Sequence, residues 1–134
     1  MIDFKTALAT GLSMAMKVDL NKKEIDEKFQ QISEMLNEGT SGKVGLVFSE
    51  NNNHREAMLG NLVQNAFVVS QLDPKIGTRI ATVIRDNENG YPVVIEAASS
   101  KFICTTVEDV EIAFSEIVQV NSVANAIFSM ISGE

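Results

Sequence analysis

The side chains best suited to chemistry lie between Ser49 and Glu56, in the run Ser-Glu-Asn-Asn-Asn-His-Arg-Glu. His54 is the only histidine, and so the only side chain whose ordinary pKa falls near neutrality. Arg55 carries the planar fork that holds a carboxylate or phosphate through paired hydrogen bonds. The run follows a segment that reads as a strand and opens one that reads as a helix. Ligands of open α/β sheets bind beyond the carboxyl ends of strands, and a helix start offers unpaired N–H groups to an anion. A small molecule or anion would therefore meet Asn51, Asn53, His54, Arg55 and Glu56. The competing reading is a polar connection whose asparagines take turn geometry, with Asn53 capping the helix.

Other chemistry is weaker. Gly39-Thr40-Ser41-Gly42-Lys43 invites comparison with a phosphate-binding loop, but a helix precedes it, a strand follows, and Val44 stands where the hydroxyl residue belongs. It reads as a helix-to-strand connection. Cys104 and His54 would together make a thiol–imidazole pair. The run Phe102-Ile103-Cys104 instead has strand composition, with cysteine as a small core residue. One cysteine excludes an intramolecular disulfide and a multi-cysteine zinc site. Glu108, Asp109 and Glu111 cluster, but the first two complement the start of a helix. No metal and no cofactor is implied, and no stretch carries a motif specific enough to assign a family.

These residues must be positioned by a chain of 134 residues, the size of one domain, expected to span 1–134. Hydrophobic residues make up 45% and charged residues 22%, enough apolar mass for one core without disulfides or metal. The net charge of −7 disfavours duplex nucleic acid and anionic membrane surfaces, and suits a basic protein partner. Met1-Ile2-Asp3-Phe4-Lys5 lacks the basic-then-apolar pattern of a signal peptide, and no apolar run approaches the roughly 20 residues of a membrane span. A cytoplasmic protein is expected.

The spacing predicts a helix over 3–16 from Phe4, Ala7, Leu8, Leu12 and Ala15. A second is predicted over 22–38, with Asn21 as N-cap, Glu24 at the third position, Ile25, Phe29, Ile32 and Leu36 on one face, and Gly39 as terminator. Val44–Phe48 reads as a strand buried on both faces. Over 54–70 the recurrence of Met58/Leu59, Leu62/Val63 and Ala66/Phe67 predicts a helix, while Phe67-Val68-Val69 leaves its last third open to strand. Strands follow at 78–85, 92–97 and 101–105, with a hairpin turn at Asp86–Gly90. Thr106 caps a helix over 107–118, and a last helix runs from Asn121 or Ser122 to about Ser132. The order α-α-β-α-β-β-β-α-α describes an α+β fold: a small mixed or antiparallel sheet of about four strands packed with N-terminal and C-terminal helix pairs.

The last helix is apolar nearly all round. Such a helix threads the core or docks on another chain. Its candidate interface residues are Val123, Ile127, Phe128, Met130 and Ile131. The small-residue first helix, with Met14 and Met16, has the same character more weakly. The expected function is a non-enzymatic protein-interaction module of the inhibitor, immunity or adaptor type. It would bind a protein partner, basic for preference, with homodimerisation as an open possibility. The alternative is a small-molecule or anion-binding domain, or a minor enzyme, using residues 49–56.

Overall fold

The computed structural model describes residues 3–51, 54–97 and 99–133. Its first element is a single α-helix, α1 (Phe4–Gly39), of 36 residues. Asp3 caps it: the carboxylate accepts from the backbone N–H of Lys5 and Thr6 and from the Thr6 hydroxyl at 2.7 Å. The two predicted helices are therefore one, and Asn21 caps nothing. No proline interrupts residues 4–39, and Lys23 pairs with Asp19 one turn back at 3.0 Å across the expected break. Glu24, freed from a capping role, accepts from the Tyr91 hydroxyl at 2.7 Å.

Gly39 is the last helical residue rather than the terminator. Thr40 ends the helix: its hydroxyl donates to the Leu36 carbonyl at 2.9 Å and accepts from the Val44 N–H at 3.0 Å. The left-handed turn then falls on Ser41 and Gly42, at φ 55° and 79°. The chain enters β1 (Val44–Glu50), a helical turn α2 (His54–Met58), and β2 (Asn61–Ser70). The helix predicted over 54–70 thus stops after one turn. Gly60, at φ 81°, breaks it, and the rest becomes a strand paired on both sides, with β1 and with β3. Both faces of that strand carry apolar side chains, which hid its two-residue period and left a four-residue recurrence in view.

β3 (Gly77–Asp86), β4 (Gly90–Ala97) and β5 (Ser100–Cys104) complete a five-stranded antiparallel sheet in which each strand pairs with the next, in the order β1-β2-β3-β4-β5. The predicted Asp86–Gly90 turn holds: the Asp86 carboxylate accepts from the N–H groups of Glu88 and Asn89. The predicted Thr106 cap also holds, accepting from the Asp109 N–H at 3.2 Å at the start of α3 (Val107–Ile117). α4 (Asn121–Ser132) closes with Gly133 at φ 77°.

The main core lies on one face of the sheet, and Val63 is buried on the other. Leu46, Ala66, Val68, Val83, Val93, Ile95 and Cys104 pack against Ile25 and Phe29 of α1, Val110 and Phe114 of α3, and Val123 and Met130 of α4. Phe29 anchors this layer, stacked on Phe48 at 4.7 Å and edge-on to Phe114 at 6.1 Å. Arg85 also points inward. It is buried with its guanidinium 5.5 Å from the Phe29 centroid and bonded to Asp26 at 2.6 Å. The alternate positions Val47, Phe67, Ile84 and Val94 lie on the sheet's other face, where no helix of the core layer sits. β1 is an edge strand, not one buried on both sides: Val44 and Leu46 are covered, while Val47 is nearly half exposed.

Candidate functional site

The run from Ser49 to Glu56 starts on the last two residues of β1, paired with Asn65 and Gln64 of β2, and ends in the helical turn α2. The Asn51 N–H donates to the Val63 carbonyl at 2.9 Å, extending the ladder, and its amide donates to Asn65 at 3.5 Å. The Glu56 carboxylate accepts from the Asn61 amide at 2.9 Å, and Arg55 is exposed. Asn53 lies outside the described residues, as does the side chain of His54. Asn51 and Glu56 thus bond to the hairpin itself. The sheet is antiparallel, so the crevice that forms at strand ends in doubly wound sheets is not built here. Cys104 sits on the opposite edge strand, turned into the core. Burial, and then the nearby Asp109 carboxylate, push its thiol up to about 11. That thiol packs within the core. Tyr91 is raised as well, by burial and by its bond to Glu24.

The candidate interface on α4 divides. Val123 and Met130 are buried in the chain's own core, Ile127 and Ile131 are half-buried against it, and Phe128 stands 66% exposed. The apolar excess of this helix is thus largely spent inside the fold. The Ile131 carbonyl accepts from the Lys43 ammonium at 3.4 Å, which ties its end to the start of β1.

The first half of α1 exposes a run of large apolar side chains. The body of the fold meets α1 at Asn21 and Lys22, beside Gly90 of the β3–β4 hairpin. From Asp3 to Leu20 every residue is exposed except Val18, which is half-buried. The large apolar side chains there range from 50% exposed at Leu8 to 74% at Phe4. Phe4, Leu8, Leu12, Met16 and Leu20 form one row at four-residue spacing, and Ala7, Gly11 and Ala15 form the row beside it. With Met14 they are spread over roughly 240° of the helix surface at about 100° per residue, an arc that also holds Lys5 and Asp19. Thr6, Thr10, Ser13 and Lys17 occupy the rest. The four-spaced row was readable in the sequence. Its exposure was not, because that depends on where the body ends.

A cavity of about 350 Å³ opens between the β3–β5 strands and the α3–α4 elbow. Arg79, Glu96 and Glu116 stand at it with Ser100, Phe102 and Val120. It lies toward the β4–β5 side of the sheet, away from the edge strand that leads into Asn51. Among the described residues there is no group of three or more His, Cys, Asp or Glu side chains that could hold a metal, and no helix long and apolar enough to cross a membrane. Comparison with protein-family models, with curated proteins and with solved structures finds no significant match to this chain.

Proposed function

We propose that this chain is a non-enzymatic protein-interaction module of the inhibitor, immunity or adaptor type, working in the cytoplasm. The observation that carries this is the projecting half of α1. A helix apolar over more than half its circumference gains nothing from that composition in water. Its amphipathic face is explained by a protein that covers it. The acidic balance supports a basic partner at the helix layer. α3 contributes Glu108, Asp109, Glu111 and Glu116 there, with no lysine or arginine. Phe128 and the half-buried Ile127 and Ile131 extend the candidate contact surface on α4.

A photo-crosslinking residue placed at Leu8, in the cells that make the protein, is expected to give one discrete protein adduct. The same residue at Ser13, on the polar face, is expected to give none. Equal labelling from both positions, or none from either, sinks the proposal.

The second reading is a small-molecule or anion-binding domain. Its support is the cavity at Arg79, whose volume lies within the range of ligand sites. The hairpin residues Asn51, Asn53, His54, Arg55 and Glu56 remain the other candidate place. A thermal-shift screen against anionic metabolites, on the wild type and on Arg79→Ala and Arg55→Ala, separates the two places. Stabilisation lost only with Arg79→Ala assigns the cavity. Stabilisation by no compound removes this reading.

A further inference from the structure

The hairpin end of the sheet meets α1 at a cleft of about 280 Å³, separate from the cavity at Arg79 and from the projecting half of α1. Lys22 and Asp26 reach it from adjacent turns of α1, Leu62 and Gln64 from β2, and Arg85 and Asp86 from the end of β3. Leu62 pairs with Arg85 and Gln64 with Val83, so Gln64 and Arg85 are diagonal neighbours on the core face, about 7–8 Å apart. We infer that this cleft binds a small carboxylate that bears a hydroxyl or amino group on the adjacent carbon.

The bonds these groups already make define what they still lack. Asp26 accepts from Arg85 Nη1 at 2.6 Å, which leaves Nε and Nη2 of the guanidinium fork for another acceptor. The Arg85 side chain is only 10% exposed, so bulk water meets little of that fork. Asp86 accepts from the Glu88 and Asn89 N–H groups and from the Asn89 amide, so its charge is spent on the turn. Lys22 forms no ion pair among the described residues. A side chain at Gly90 would meet its Cγ at 3.6 Å, so the hairpin glycine gives the lysine stem its seat. Gln64 Oε1 is buried and accepts no hydrogen bond from any described residue. Buried acceptors in native proteins are almost always paired, because an orphan loses its water and gains nothing in return.

The cleft thus offers the Lys22 ammonium, the rest of the Arg85 fork and the Gln64 acceptor. A carboxylate answers the first two, with an oxygen on the fork and its charge beside the lysine. The acceptor calls for a donor on the same molecule, close to the carboxylate, since Gln64 lies one diagonal step from Arg85. A hydroxyl or amino group on the adjacent carbon is placed there. The half-buried Leu62 gives a short alkyl group an apolar wall. A phosphate group suits the cleft less well, because up to about two negative charges would sit beside Asp26 and Asp86. The volume lies near the lower edge of the range for ligand sites, which fits a molecule of this size.

The test is an NMR titration of the full chain with L-lactate and with L-alanine, followed at the Gln64 side-chain amide and the Arg85 Nε–H. Saturable shifts at both groups are expected from at least one acid, and the better of the two tells hydroxyl from amine. Acetate has the charge without the donor and is expected to bind about tenfold more weakly. Lactamide has the donor without the charge and is expected not to bind. Gln64→Met should abolish the preference over acetate, and Lys22→Met should weaken binding of the acid about tenfold. The backbone amide spectrum of each variant away from the cleft should match the wild type, which separates lost binding from a lost fold. Shifts from neither acid leave Gln64 Oε1 to an ordered water and overturn the inference. Acetate binding as tight as that of both acids also overturns it, as does a preference that survives Gln64→Met. Shifts confined to residues around Arg79 move the ligand to the other cavity and overturn it too. None of these results bears on the Leu8 adduct, on which the proposed function stands.

Discussion

Arg85 is held by two neighbours that a sequence does not place beside it. Its guanidinium lies over Phe29 and donates to Asp26, both on α1. Asp26→Ala leaves a buried cation without its counter-charge. Removing one partner of a fully buried pair costs several kcal/mol, but Asp26 is more than half exposed. The expected loss in urea unfolding is therefore about 1–2 kcal/mol. Arg85→Met with Asp26→Ala should recover part of it, because the apolar stem still packs on Phe29. Cys104 makes a second residue-scale case. With its thiol raised to about 11 by burial, iodoacetamide should alkylate the folded protein far more slowly than the urea-unfolded protein at neutral pH. Raised in the folded state, this thiol contributes stability that is complete below its unfolded pKa of about 8.5 and is lost as pH rises toward 11. Rapid labelling of the native protein would contradict its place in the core. The core role of Cys104 was legible from its apolar neighbours. The inward turn of Arg85 was not, because a strand alternates faces and its register is set by partners distant in sequence.

At the scale of elements, termini chosen by local chemistry were the most legible. Thr106, the Asp86–Gly90 turn and Gly133 act where their residue types suggest, because a cap or tight turn is satisfied within a few residues. The Asn89 backbone N–H, foremost among its partners, holds the Asp86 carboxyl below the usual carboxylate range. Lowered in the folded state, Asp86 contributes stability that is complete above its unfolded pKa and fades as pH falls through its lowered folded value. The stability gap between wild type and Asp86→Asn should accordingly be full at neutral pH and shrink below about pH 4. A gap that persists unchanged in acid would mean that charge plays no part in the turn. The misread elements share a different cause. Asn21 offers a good cap, but an unbroken helix satisfies the same N–H groups without one. Residues 61–70 carry apolar groups on both faces, and strand pairing on two sides outweighed the helical recurrence.

For the whole molecule, the α+β class and the helix–strand order followed from pattern alone. The sheet gained a fifth strand, and its antiparallel order emerged from the short connections. What no local pattern could give is the division of α1 into a half that packs and a half that projects. Ile25 and Phe29 are in the core, whereas from Phe4 to Leu20 every residue but Val18 stands exposed among the described residues. An unsupported helix of that length frays in water, since most helical stability in proteins comes from packing of the amphipathic face. That gives the projecting half a measurable signature. Hydrogen exchange, followed residue by residue with and without the protein captured from Leu8, tests its role most directly. In dilute protein the amides of residues 7–20 should exchange near the rate of a free helix, while those of residues 25–36 stay protected by the body. When that protein is added, protection should appear in residues 7–20 and leave residues 25–36 unchanged. Protection of residues 7–20 that is already complete in the chain alone, or that does not appear when the partner is added, would contradict a helix held in reserve for a protein partner.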